Sequence, residues 1–249
     1  MASKDKAADK EGGLYETLKV IVQALLIAFV IRTFLFQPFN IPSASMVQTL
    51  LVGDYLFVSK WSYGYSRYSF PFGIVPLEGR VLESTPERGD IAVFKLPQDN
   101  ATDYIKRVVG LPGDTIQMQG GQLFINGTAV PQERLSDYVE TGLNGRETRA
   151  RRFRETLPNG VSYIVLDSSE NGLFDNTGVY TVPPGHYFMM GDNRDNSTDS
   201  RATFVGYVPL ENFVGRAELI FFSIREDAQI WQIWKWPGSV RWGRIFDTL

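Results

Sequence analysis

Ser43 and Ser45, in IPSASMVQTL (residues 41–50), stand directly behind the most hydrophobic stretch of the chain. A serine hydroxyl is a weak nucleophile until a base within hydrogen-bonding reach takes its proton. The supply of bases here is small. The chain has no cysteine, which removes thiol nucleophiles, disulfides and zinc–thiolate centres together. His186 is the one histidine. It lies in PPGHYFMMGD, a turn entering an apolar strand, which favours a structural role. The remaining base is lysine, as in Ser-Lys variants of serine protease chemistry. Beyond the apolar run the lysines are Lys60, Lys95, Lys106 and Lys235. A lysine base must be neutral although its usual pKa is about 10.4, and burial can lower that by about 3–5 pH units. It therefore belongs among apolar neighbours. Strand alternation puts Tyr104, Lys106 and Val108 on one face of YIKRVV, and it puts Leu56, Val58 and Lys60 on one face of an earlier run. Spacing leaves both lysines open.

A second cluster, GDNRDNSTDSR (191–201), is dense in Asp and Asn. Counted from Asp192, an EF-hand loop would need Gly at Ser197 and Glu at Thr203, so the calcium pattern fails. Its aspartates with Arg194 and Arg201 fit either a solvated turn or an ordered, salt-bridged loop. No metal ligand set and no Gly-rich phosphate loop is expected, and no cofactor. A net charge of −3 and a pI near 5.3 argue against a nucleic-acid partner.

These groups need elements to hold them. Val20 to Phe39 reads VIVQALLIAFVIRTFLFQPF. As a helix it would cover roughly 30 Å, about the thickness of a bilayer core. A transmembrane span is expected over residues 18–37, after a tail at 1–17 and before a domain at 38–249. Arg32 lies where its side chain can snorkel to the headgroups, and Pro38 would stop the helix. Lys4, Lys6, Lys10 and Lys19 precede the run, and the next basic residue after Arg32 is Lys60. The positive-inside rule then places the N-terminus in the cytoplasm and the domain outside. Ser43-Ala44-Ser45 also looks like a signal-peptide cleavage site, but the run exceeds the h-region length of about 7–15 residues.

Past residue 50 the pattern is short alternating runs between turns. Strands are expected at 55–61, 90–96, 104–110, 187–190 and 215–223. Hairpin turns are expected at Gly120-Gly121, Asn126-Gly127 and Asn159-Gly160. The fold class is mostly β: an antiparallel sheet domain behind one N-terminal helix. Residues 132–176 are polar, with Arg146, Arg149, Arg151, Arg152 and Arg154 close together, and read as a non-catalytic insertion with a solvated face. The aromatic stretches at 63–76 and 230–246 suit either a membrane interface or a β core.

Five segments, in order, carry a resemblance: FNIPSASMVQTLLVGDYLFVSKWSYG, RGDIAVFKLP, YIKRVVGLPGD, LFINGTAV and MGDNRDNSTDSRATFVGYVP. Together they resemble the bacterial type I signal peptidases, membrane-anchored serine proteases with a Ser-Lys dyad. The resemblance implies Ser45 as nucleophile and Lys106 as general base. It implies an oxyanion hole from the Ser43 hydroxyl and the Ser45 backbone N–H. Ser197 would orient the lysine, and Asp199 and Arg201 would support the site. Phe39, Ile41, Met46, Leu50, Tyr104 and Ile105 would line shallow pockets for small residues at P1 and P3. Implied partners are preproteins with signal peptides and membrane lipid, and the implied setting is a bacterial inner membrane, with the protein acting as a monomer. Gln48 departs from the proline usual in the family and removes no catalytic group.

Overall fold

A computed structural model describes residues 2–70, 76–141, 147–225 and 227–249. Helix α1 (Ala2–Val30) continues as a wider turn over Ile31–Leu35. Tyr15–Leu35 is long and apolar enough to cross a membrane, with a mean hydropathy of 2.1. Leu25, Leu26, Ile27 and Phe29 are each half exposed or more, so these apolar side chains of the helix lie outside the protein core. The helix stops at Leu35, short of Pro38. From Phe36 onward the backbone pairs with a strand instead, and Pro38 sits in that edge strand, where a missing N–H can face outward at no cost.

Along the chain lie β1 (Phe36–Asn40), β2 (Asp54–Ser59), β3 (Ile91–Lys95), β4 (Asp103–Gly110), β5 (Thr115–Gln119), β6 (Gln122–Ile125) and β7 (Thr128–Ala129). They are followed by β8 (Gln132–Arg134), β9 (Tyr138–Thr141), β10 (Glu147–Thr156) and β11 (Ser162–Asp167). The last are β12 (Tyr180–Thr181), β13 (His186–Met190), β14 (Val208–Pro209) and β15 (Phe213–Ser223). Every strand expected from alternation is present, with ends shifted by no more than about two residues. The Asn126-Gly127 turn has positive φ at both residues, +53° and +76°, as a two-residue hairpin requires.

The main antiparallel sheet has the order β1-β2-β15-β3-β4-β13-β14. Laid flat, it would hold β1 and β4 about 19 Å apart, at four strand spacings. Register shifts along β15 at Phe213/Gly215, Ala217/Leu219 and Ile220/Phe222 bend it instead. Its concave side holds a core of Ile41, Met46, Leu50, Leu56, Val58, Ile91 and Val93. A second core joins the β5–β6 hairpin to β11 and β13 through Ile116, Leu123, Ile125, Val165 and Phe188.

Residues 132–176 supply a smaller sheet, β11-β10-β8 with β9 also on β10. The sheet is tied to the main body, since Leu166 N–H donates to Asp192 O at 2.9 Å. Its arginines are mostly spent on local ion pairs: Arg149 with Glu147, Arg151 with Asp167 and Arg154 with Glu133. Arg146 lies outside the described residues. The aromatic stretches divide. Tyr63 is core against Phe213, whereas Trp231, Trp234, Trp242 and Phe246 are largely exposed.

Candidate active site

Ser45 lies in a 3₁₀ turn at Ala44–Met46, immediately after β1 and the Ile41 corner. Met46 and Leu50 anchor the turn by burying completely in the concave core. Lys106 projects from β4, where it sits opposite Ala92 of β3. Its Nζ donates to Ser45 Oγ at 2.7 Å and to the Ile105 carbonyl at 2.9 Å. The Tyr104 ring lies 5.3 Å from the amine. Both partners are nearly inaccessible, Ser45 at 6% exposure and Lys106 at 4%. Burial lowers the Lys106 pKa from 10.5 to about 8, against the pull of the Asp199 and Asp192 carboxylates. Ser43 Oγ is 3.4 Å from Ser45 Oγ.

The loop after β13 closes over this pair. Gly191 has no room for a side chain: a Cβ there would fall 2.2 Å from Ser197 Oγ and 2.6 Å from the Ser45 carbonyl oxygen. Asn193 clamps the serine turn twice, its N–H donating to Ser45 O and its Nδ2 to Ala44 O, each at 3.0 Å. Asp199 accepts from Gly191 N–H at 2.9 Å and from Arg201 Nε and Nη2 at 2.8 Å each. Burial alone would raise the Asp199 carboxyl; the Arg201 charge outweighs it and holds the pKa low. Arg201 Nη2 also donates to Arg194 O at 2.6 Å, so the loop is cross-braced within itself. Ser197 is buried over Gly191 but makes no hydrogen bond to the Lys106 amine.

Two further ion pairs hold the loop to other strands. Arg107, the neighbour of Lys106, donates through Nε and Nη2 to the two Asp192 oxygens at 2.9 and 2.7 Å. Thr49 Oγ1 donates to Asp192 Oδ2 at 2.5 Å, which brings in the segment after Ser45. Arg194 pairs with Glu155 of β10, and Glu155 also accepts from Tyr163 Oη at 2.8 Å and Gln132 Nε2 at 2.7 Å. Burial works against the ionised Glu155, and the Arg194 guanidinium keeps its pKa below the usual value. Breaking such a buried pair from one side typically costs about 3–5 kcal/mol, because a charge is left uncompensated.

The remaining expected residues separate into groups. Ile41, Met46 and Leu50 are floor, fully buried, with Phe39 and Ile105 half-buried on the same cluster. Tyr104 packs with a different cluster, against Phe94. Lys60 is also buried, but its amine donates to the Ser69 carbonyl. His186 Nδ1–H donates to Pro184 O at 2.9 Å, a local turn contact. Gly191, Asn193, Thr49, Arg107 and Glu155 were not singled out from sequence. Only the first two carried a signal, as part of the GDN run; the others meet the site through contacts that spacing does not reveal.

Residues 14–222 match the family model described as "Signal peptidase, peptidase S26". A protein named "Signal peptidase I" from Rickettsia typhi is 42% identical over 243 residues, covering 90% of each chain. Another of that name from Rickettsia conorii is 38% identical over 266 aligned positions, covering 100% of this chain and 96% of its own. A crystal structure of a signal peptidase I from Enterococcus faecalis V583 is 27% identical, with a TM-score of 0.31, and covers 53% of this chain and 97% of its own.

Proposed function

The chain belongs to the signal peptidase family, peptidase S26, and we propose that it cuts by a Ser45–Lys106 dyad, after small-x-small sites, while anchored in the bilayer by α1. Membership makes it a serine peptidase that removes signal peptides from preproteins. The observation that carries the finer reading is the Lys106 Nζ to Ser45 Oγ contact of 2.7 Å between two buried side chains.

A preprotein segment extends along open sheet edges by strand addition. Two such edges flank the dyad. Among the described residues β1 pairs only with β2, and residues 103–106 of β4 lie beyond the part that pairs with β13. Neutral Lys106 takes the Ser45 proton as Oγ attacks the scissile carbonyl. The resulting oxyanion is met by the Ser43 hydroxyl and the Ser45 N–H, which act where charge exists mainly in the transition state. Lys106 returns the proton to the leaving amine, and an ester to Ser45 remains. Water, deprotonated by Lys106, then releases the signal peptide. Phe39 and Ile105 over the floor of Ile41, Met46 and Leu50 leave shallow apolar surface beside Ser45, which suits a small P1 side chain. With the lysine-rich N-terminus in the cytoplasm, the domain lies on the far face, where exported chains emerge.

The test is cleavage of a purified preprotein in detergent by wild type, Ser45→Ala and Lys106→Met. Wild-type cleavage after a small-x-small site, lost in both variants, is the expected result. Full activity in Lys106→Met would remove the lysine from the mechanism.

A further inference from the structure

A cavity of about 460 Å³ opens where the chain leaves α1, away from Ser45. Arg32, Lys60 and Lys95 all line it, with Gln37, Asn100 and Asp103. Asp103 is the one carboxylate among its described lining residues, and Lys95 Nζ already holds it at 2.9 Å. The wall thus carries three cations against one anion. Lys60 is only 2% exposed, and its amine donates to the Ser69 carbonyl, a neutral acceptor. Burial, with the positive charges of Arg32 and Lys95 against the negative charge of Asp103, lowers its pKa to about 8. A buried ammonium facing two like charges is costly unless an anion joins them.

Position identifies the anion. Arg32 sits in the last turn of the apolar helix, where a guanidinium reaches headgroup depth. Tyr68 and Phe70 form an apolar side of the same cavity, and Phe70 packs edge-on against Phe34 of the helix end. A ligand with a phosphate at one end and hydrocarbon at the other matches both walls. We propose that this cavity binds the phosphodiester headgroup of an anionic bilayer phospholipid, with Arg32, Lys60 and Lys95 as its charged donors and Gln37 and Asn100 as neutral ones. Ser45 and Lys106 do not line the cavity, and of its wall only Gln37 of β1 and Asp103 of β4 lie on the two edges proposed for the preprotein. The variants below change neither, so failure of the lipid site leaves the peptidase reading untouched.

The experiment is native mass spectrometry of the full chain in a neutral detergent, titrated with phosphatidylglycerol, phosphatidylcholine or soluble glycerol 1-phosphate. Phosphatidylglycerol is expected to fill one site ahead of phosphatidylcholine, and glycerol 1-phosphate to bind far more weakly than the lipid. Arg32→Gln with Lys95→Gln should weaken phosphatidylglycerol by about thirtyfold, and Arg32→Lys with Lys95→Arg should restore it. Cleavage of a short soluble peptide by each variant reports folding, since neither residue touches the dyad. Where the double variant is misfolded, Arg32→Gln alone, on an exposed helix position, should weaken the lipid about fivefold. Unchanged affinity in the folded Gln variant, or equal binding of phosphatidylcholine, overturns the proposal. Tight binding of glycerol 1-phosphate without the acyl chains would replace the lipid by a free phosphate.

Discussion

Lys106 and Lys60 have nearly the same burial, 4% and 2% exposed, and burial lowers both pKa values to about 8. Their neighbourhoods differ. Lys106 faces a hydroxyl at 2.7 Å, with carboxylates of Asp199 and Asp192 behind it. Lys60 faces a carbonyl, which has no proton to give, with Arg32 and Lys95 nearby. A depressed pKa is therefore necessary for a lysine base and not sufficient. What the amine points at decides between chemistry and recognition.

The largest separation between the two is expected in turnover. Lys106→Met should lower kcat by about 10⁴-fold or more, whereas Lys60→Met should stay within about threefold of wild type on a soluble peptide. A comparable loss in both variants would erase the distinction. Ser43→Ala should cost about 10²–10³-fold in kcat with little change in KM, as for loss of an oxyanion donor. Gly191→Ala should cost about 10²-fold, because the added Cβ displaces the Ser197 and Ser45 backbone contacts around the dyad.

The pH dependence separates the lysines more finely. Only neutral Lys106 accepts a proton, so kcat/KM should rise about tenfold per pH unit up to about 8 and flatten above. Lys60→Met should leave that midpoint in place. The smallest effect is on stability. Folded-state pKa values below the unfolded value mean that the unfolded chain binds more protons between about 8 and 10.5. Stability therefore rises with pH across that window, and the penalty is fully present below it. Lys60→Met should be neutral to about 1 kcal/mol stabilising at pH 7 and should flatten part of that rise, read by thermal unfolding at pH 7 and 10.

Much of the fold was legible because local chemistry and tertiary structure agree. Asn126-Gly127 and Asn159-Gly160 turn the chain where they stand, between β6 and β7 and between β10 and β11. The apolar run is helical because length and hydropathy leave it few alternatives. Its end was not legible. Pro38 reads as a helix stop, yet the backbone had already left the helix at Leu35 to pair with β2, a partner about twenty residues on. Alternation could not separate Lys106 from Lys60 either: Lys106 is buried on β4, whereas Lys60, equally buried, lies one residue past the end of β2 in the turn that follows it. Arg194 was visible as a charge in a dense loop, but its counterion Glu155 lies in a polar segment that reads as a solvated insertion. Long-range pairing, unlike a turn, leaves no mark at the spacing of neighbouring residues.

β1 begins at Phe36, directly after the helical turn ends at Leu35, with no linker between them. The Tyr65 hydroxyl, donating to the Phe34 carbonyl at 2.7 Å, pins that junction to the domain. A five-residue strand rises about 17 Å. If α1 lies in the bilayer as proposed, β1 and this pinned junction are what join the serine turn to the membrane. On that reading, a substrate whose own apolar segment is embedded alongside covers a comparable rise in extended chain before its scissile bond reaches Ser45. On the proposed anchoring and the proposed Ser45 nucleophile, the length of that one strand limits how near the membrane a peptide bond can be cut.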